Sequence, residues 1–206
     1  MTGSDRPASP EPVERQIWLA RHGETEWSSL GRHTGRTDMP LTDAGRQQAR
    51  QLGARLRSHP FALVLSSPLS RAAETARLAG FANRLVLDPD LQEWDYGEHE
   101  GRRTDEIREN YPGWTIWRGP WPGGEQIDEV ATRADRVIAR VRAVDGDVLV
   151  FAHGHLLRIL AARWLGLPPQ SGGMLALSTA TISLLGWERG LPVIERWNET
   201  CATSAG

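Results

Sequence analysis

The chain has 206 residues, 24 basic and 26 acidic side chains and a formal net charge of −2. That fits one domain with a sizeable core and argues against nucleic acid as a general partner; no apolar run approaches the ~18 residues of a membrane span. There is no lysine, so every basic side chain is arginine, which excludes Schiff-base chemistry and the phosphate-loop lysine.

Residues 1–15 hold Pro7, Pro10 and Pro12 without an apolar stretch and are expected to form a disordered leader. Gln16–Ala20 is the first predicted strand, and it runs into Arg21-His22-Gly23-Glu24-Thr25. Leu41, Ala44, Ala49, Leu52 and Leu56 follow at helical spacing. Ala62–Ser66 is a second strand, leading through Ser67-Pro68 to Arg71 in the first turn of a helix, and Leu85–Leu87 is a third, shortly before Glu93.

The stretch from Glu98 to Glu125 is irregular, with Pro112, Pro120, Pro122, five glycines and Trp114, Trp117 and Trp121. It reads either as a lid or binding loop, or as tryptophans packed over a core edge. A stronger helical stripe then runs through Ile127, Val130, Ala131, Ala134, Val137, Ile138 and Val141. Asp147–Ala152 is a strand ending in His153-Gly154-His155, and Leu156 to Leu165 is apolar enough for a buried helix. Thr181–Trp187 and Pro192–Trp197 are joined by the Glu188-Arg189-Gly190 turn and suggest a hairpin.

Strands alternating with helices predict a three-layer α/β/α sandwich over residues 16–198, with a mixed, mostly parallel sheet. Residues 199–206 are a polar tail. Its Cys201 is the only cysteine, so there is neither a disulfide framework nor a cysteine metal site. A cytoplasmic location is expected.

In such a sheet, ligands bind beyond the carboxyl ends of the strands. The loops at His22 and His153 therefore present two imidazoles at one edge, with glycines beside them that let a ligand approach the backbone. With Arg21 and Arg71 they make an oxyanion pocket whose reactive atom is a ring nitrogen. Neutral imidazole attacks phosphorus and splits hydrolysis into two steps. Arginine forks and a protonated histidine stabilise the equatorial oxygens without a metal. The leaving alkoxide needs a proton from a carboxylic acid held protonated by burial near aromatic walls, and Glu93, next to Trp94 and Tyr96, fits that description.

The series Arg21-His22-Gly23-Glu24-Thr25, Thr34-Gly35, Leu41-Thr42-Asp43-Ala44-Gly45, Ser67-Pro68 with Arg71, then Glu93 and His153-Gly154 resembles the phosphoglycerate mutase-like branch of the histidine phosphatase superfamily, in order and spacing, from about Gln16 to Trp197. The resemblance implies that His22 is the phosphorylated nucleophile, that Arg21, Arg71 and His153 clamp the phosphate, and that Glu93 is the proton donor. It further implies substrate contacts at Ser28, Thr34, Gly35, Tyr96 and Gly154, and no metal or cofactor. His155 opens a helix rather than forming a metal pair with His153. His33, His59 and His99 are expected to be surface or loop histidines. Arg102, Arg103 and Arg118 either hold a second phosphate or are solvated charge.

The family holds phosphatases and mutases. Cofactor-dependent phosphoglycerate mutases place Arg-His-Tyr-Gly after the acidic residue, a lysine-bearing lid, a longer tail and an asparagine in the first loop. Here Glu93 is followed by Trp94-Asp95-Tyr96-Gly97, lysine is absent, Ser28 replaces the asparagine, and nine residues follow Trp197. These departures favour a phosphatase. Thr25-Glu26-Trp27-Ser28, Glu93-Trp94-Asp95-Tyr96-Gly97 with Glu100-Gly101, and Trp114-Thr115-Ile116-Trp117 are similar to sedoheptulose-1,7-bisphosphatase-type sugar phosphatases and bacterial acid phosphatases. The expected partner is a small phosphorylated metabolite, a sugar phosphate or bisphosphate, with a broad acid phosphatase as the competing version. A homodimer is left open, and a non-catalytic binding protein is disfavoured because all five catalytic positions are intact.

Overall fold

The computed structural model describes residues 15–200. Cys201 and nearly all of the expected leader and tail lie outside the described residues. At the two margins, Arg15 donates to the Val144 carbonyl at 2.7 Å, and the last strand runs to Thr200, past the boundary expected at 198.

All six predicted strands are present: β1 (Ile17–Arg21), β2 (Leu63–Ser66), β3 (Leu85–Leu87), β4 (Val148–Ala152), β5 (Thr181–Glu188) and β6 (Leu191–Thr200). They form one sheet in the order β3-β2-β4-β1-β5-β6. β5 alone runs against the others, pairing antiparallel with both β1 and β6. Arg189 and Gly190 both have positive φ in the hairpin turn, 52° and 80°, the conformation that matches the twist of a two-residue connection.

The helices are α1 (Glu26–Ser29), α2 (Asp43–Leu56), α3 (Ser70–Ala76), α4 (Thr104–Arg108), α5 (Ile127–Arg142) and α6 (Gly154–Trp164). β4 is buried along its whole length, and its side chains alternate between the two faces. Leu149 and Phe151 join α2 and the end of α3, while Val148 and Val150 join α5 and α6. The three-layer sandwich follows from that division.

All seven stripe residues of α5 are buried, and Arg133 is buried with them. In α2 the stripe differs from expectation at one place: Ala44 is exposed and Gly45 faces inward. A Cβ on Gly45 would lie 2.1 Å from the Glu24 carbonyl oxygen, and one on Gly23 would lie 2.4 Å from the Gly45 oxygen. The backbone of α2 therefore touches the loop after β1 with no room for a side chain.

Candidate active site

The parallel register of β2, β4 and β1 brings their carboxyl ends side by side. Arg21 pairs with Ala152 and Ser66 with Phe151. The next amides continue the ladder, with His22 N–H donating to Ala152 at 3.0 Å and Ser67 N–H to Phe151 at 2.9 Å. His22, His153 and Ser67 thus leave three adjacent strands at one edge, as the sequence pattern predicts. The His22 and His153 ring centroids are 5.2 Å apart.

His22 is nearly buried, at 4% exposure, and its Nδ1 lies 2.7 Å from the carbonyl of Gly23. A carbonyl only accepts, so the proton is on Nδ1 and Nε2 carries the lone pair. Burial, and then the charges of Arg71 and Arg21, hold this imidazole well below the usual histidine range. It is a neutral base.

His153 is fully buried. Arg71 Nε–H donates to its Nδ1 at 3.2 Å, which puts the proton on Nε2, 2.7 Å from the Ser67 hydroxyl oxygen. Burial and Arg71 depress its basicity as well, which corrects the expectation of a protonated histidine here. The rest of the Arg71 guanidinium donates to the carbonyls of Thr37 at 3.0 Å, Thr34 at 3.3 Å and Gly35 at 2.8 Å. Those carbonyls are held in turn by Glu100, whose carboxylate accepts from Arg36 N–H at 2.5 Å, Thr37 N–H at 2.8 Å and the Thr37 hydroxyl. His22 and Arg21 line the pocket directly, whereas Arg71 and His153 do not line it and are fully buried.

Arg21 donates to the Leu177 carbonyl at 2.5 Å, and its buried Nε has no partner among the described residues. Gly154 admits it: a Cβ there would be 3.2 Å from the guanidinium carbon. A desolvated guanidinium with an unsatisfied N–H is suited to an oxyanion.

Glu93 lines the same pocket. The aromatic wall beside it is present, with Trp94 and Tyr96 buried, yet the carboxyl is not in an apolar hollow. Its oxygens accept from Trp94 N–H at 2.9 Å, Leu156 N–H at 2.9 Å and His155 N–H at 3.0 Å. The last two belong to the first turn of α6, a natural seat for an acidic group. Arg133 braces the approach to Glu93, donating to the carbonyls of Asp90 and Gln92 at 2.7 and 2.9 Å and to Glu125 at 2.8 Å.

The histidine phosphatase superfamily (branch 1) profile matches residues 17–200. The chain belongs to the histidine phosphatase superfamily. An acid phosphatase of Mycobacterium tuberculosis is 42% identical over 180 residues, covering 85% of this chain and 88% of that one. The sedoheptulose 1,7-bisphosphatase of Saccharomyces cerevisiae is 36% identical over 184 residues, covering 74% and 68%. The solved structure of an open reading frame product from Mycobacterium tuberculosis superposes with a TM-score of 0.85 at 39% identity, covering 91% of this chain and 99% of that one. The fold is that of the phosphoglycerate mutase-like members.

The outer pocket of this histidine phosphatase has a volume of about 190 Å³ and draws on residues that carry no local sequence signal. Ser28, Thr34, Tyr96 and Gly154 line it as expected, while Gly35 does not. A Cβ on Gly35 would meet the Glu100 carboxylate at 2.3 Å. The Ser28 hydroxyl is engaged within α1, accepting from Thr25 N–H and donating to Thr25 O, each at 2.9 Å.

His33, expected as a surface or loop histidine, is in a loop but lines the pocket, and it is held down to about 4 by burial and by nearby His99. His99 is itself buried, whereas His59 is half-buried beside Asp147, at 2.6 Å. His155 also lines the pocket, its Nδ1 2.5 Å from the Tyr96 hydroxyl. No three His, Cys, Asp or Glu side chains among the described residues cluster as a metal site.

Arg102, Arg103 and Arg118 are not on this pocket; Arg32 and Arg158 are. Neither carries a local signal, since each reaches the site by tertiary folding. The tryptophan segment packs into the core with α5 and α6, burying Trp114 and Ile116. No helix among the described residues is long and apolar enough to cross a membrane.

Proposed function

We propose that the protein is a metal-independent phosphomonoesterase acting on a small phosphorylated metabolite, a sugar phosphate or bisphosphate, through a phosphohistidine at His22. The observation that carries this reading is the tautomer of His22: Nδ1–H is tied to Gly23 and the Nε2 lone pair remains for phosphorus. Nε2 forms a bond to phosphorus as the ester P–O bond breaks, and the departing alkoxide takes its proton from Glu93. Glu93 then removes a proton from water, the hydroxide displaces Nε2, and inorganic phosphate leaves. Arg21, Arg71 and the Nε2–H of His153 stabilise the charge on the equatorial oxygens. The 42% identity to an acid phosphatase and 36% to a sugar bisphosphatase support the substrate class. A cytoplasmic setting fits a chain with a single cysteine.

The test is phosphate release in EDTA near pH 6 from fructose 1,6-bisphosphate, sedoheptulose 1,7-bisphosphate, sugar monophosphates, 3-phosphoglycerate and p-nitrophenyl phosphate. Wild type is expected to release phosphate and His22→Ala to release none. Isomerisation of 3-phosphoglycerate without release, or activity that vanishes with EDTA, would overturn the proposal.

A further inference from the structure

Three arginines and a single acid line the pocket, and their charges are not matched equally. Arg32 is 3.6 Å from Glu106. Arg21 faces the reacting centre beside Gly154. Arg158 lies three residues farther along α6 from His155, roughly 4.5 Å of helix rise away from the His22 end, and it stands in no ion pair among the described residues.

Glu93 forms no ion pair with Arg158: its carboxyl is held by the three backbone N–H groups, and its charge reaches that guanidinium only at longer range. The Arg158 fork is nonetheless rigidly placed. Nε donates to the Gly172 carbonyl at 3.0 Å and Nη2 to Gly173 at 3.3 Å. Its plane rests on Trp117, 4.5 Å from the ring centroid. Nη1 has no hydrogen-bond partner among the described residues. Trp117 also packs against His155, with centroids 5.4 Å apart, so this cation is built into the outer wall. A fixed, half-buried guanidinium without an ion-pair partner favours an anion over any neutral group.

We infer that Arg158 binds a second anionic group on the alcohol side of the substrate, so that preferred substrates are phosphomonoesters carrying a further phosphate or carboxylate. This rests on the phosphatase reading above. With the reacting phosphate at His22 and Arg21, the remote anion lies one helical turn outward along α6, past His155 and Tyr96.

The experiment compares kcat/KM for fructose 1,6-bisphosphate and for 3-phosphoglycerate, each divided by that for p-nitrophenyl phosphate, in wild type, Arg158→Gln and Arg158→Lys. Arg158→Gln is expected to lower at least one ratio by about tenfold or more, the scale of one charge-assisted hydrogen bond, and Arg158→Lys to restore much of it. Which ratio falls identifies the remote group as phosphate or carboxylate. Unchanged ratios, with p-nitrophenyl phosphate still cleaved, would overturn this inference alone; a wild type that cleaves none of the three would overturn the phosphatase reading with it. If Arg158→Gln does not fold, inhibition of the wild type decides. Fructose 1,6-bisphosphate should compete at least about tenfold better than fructose 6-phosphate, with the gap narrowing as salt rises. Equal competition would overturn the inference.

Discussion

Arg71 and His153 are joined by a 3.2 Å hydrogen bond from Nε–H to Nδ1, and this contact decides which nitrogen of His153 carries a proton. A guanidinium cannot accept, so Nδ1 must, and Nε2–H is left to donate, to Ser67 here and to a phosphoryl oxygen during turnover in the mechanism proposed above. Arg71→Lys keeps the charge but cannot donate to His153 while also reaching the carbonyls of Thr34, Gly35 and Thr37. Its kcat/KM is expected to fall on the order of 10²–10³-fold, the loss typical of a preorganised donor. A change below about tenfold in steady-state kinetics would show that the tautomer is set by something else.

Glu100 acts one step farther back, through the loop that cradles Arg71. In Glu100→Gln one oxygen becomes an amide donor facing the N–H groups of Arg36 or Thr37. The loop carbonyls then shift and Arg71 loses its seat. The inhibition constant of inorganic phosphate is expected to rise about tenfold, and a melting temperature that falls while phosphate binding stays intact would limit Glu100 to a structural role.

The backbone contact between Gly45 and Glu24 couples α2 to the loop after β1 that carries His22. Gly45→Ala inserts a methyl group where only 2.1 Å is available to the Glu24 oxygen. The substitution is expected to cost roughly 1–3 kcal/mol, as overpacking does, and to displace His22. Denaturant melts and p-nitrophenyl phosphate turnover check both effects. A variant with wild-type stability and turnover would mean that the loop yields without consequence.

Burial holds His33 down to about 4, against an ordinary 6.5. The unfolded chain therefore binds a proton here that the folded chain refuses, between those two values. The sign follows: stability is complete above about pH 6.5, falls as pH drops, and the loss from this residue is finished by about pH 4. Its size is at most on the order of 3 kcal/mol. Melting temperature against pH is expected to decline over that window, and less steeply in His33→Gln, which keeps a polar group for the Thr104 hydroxyl that lies 3.1 Å from His33 Nε2. Parallel curves would remove His33 from the account.

The depressed basicity of His22 has a kinetic counterpart. Burial holds His22, the nucleophile of the proposed mechanism, well below the usual histidine range, so the acid limb of kcat/KM is expected to have its midpoint below pH 6.5. A limb centred at or above that value would mean that His22 is an ordinary exposed imidazole before substrate binds.

Much of this site is legible in the sequence, because strand ends in a parallel sheet share an edge: His22 and His153 each follow a strand directly, and Arg71 opens the helix after β2. Glu93 is legible from its place after β3 beside aromatic residues. Arg133 is masked within the apolar stripe of α5, and Glu100 within the irregular segment. His33, His155 and Arg158 meet only because that segment folds back over α6, and such convergence leaves no local periodicity. Helical spacing puts Ala44 on the buried stripe because it cannot tell position 44 from position 45. The difference is made by a backbone approach from a loop twenty residues earlier in the chain.

The tryptophan-bearing wall has a further consequence for the rhythm of turnover. Trp114 and Ile116 are anchored in the same apolar cluster as α5 and α6, so swinging the wall outward would expose both, at roughly 3–6 kcal/mol. The open arrangement would hold on the order of a hundredth of the population or less. Substrate and product are then expected to exchange through the standing aperture, without a gating step. Solvent viscosity should then slow the enzyme only where encounter itself is limiting.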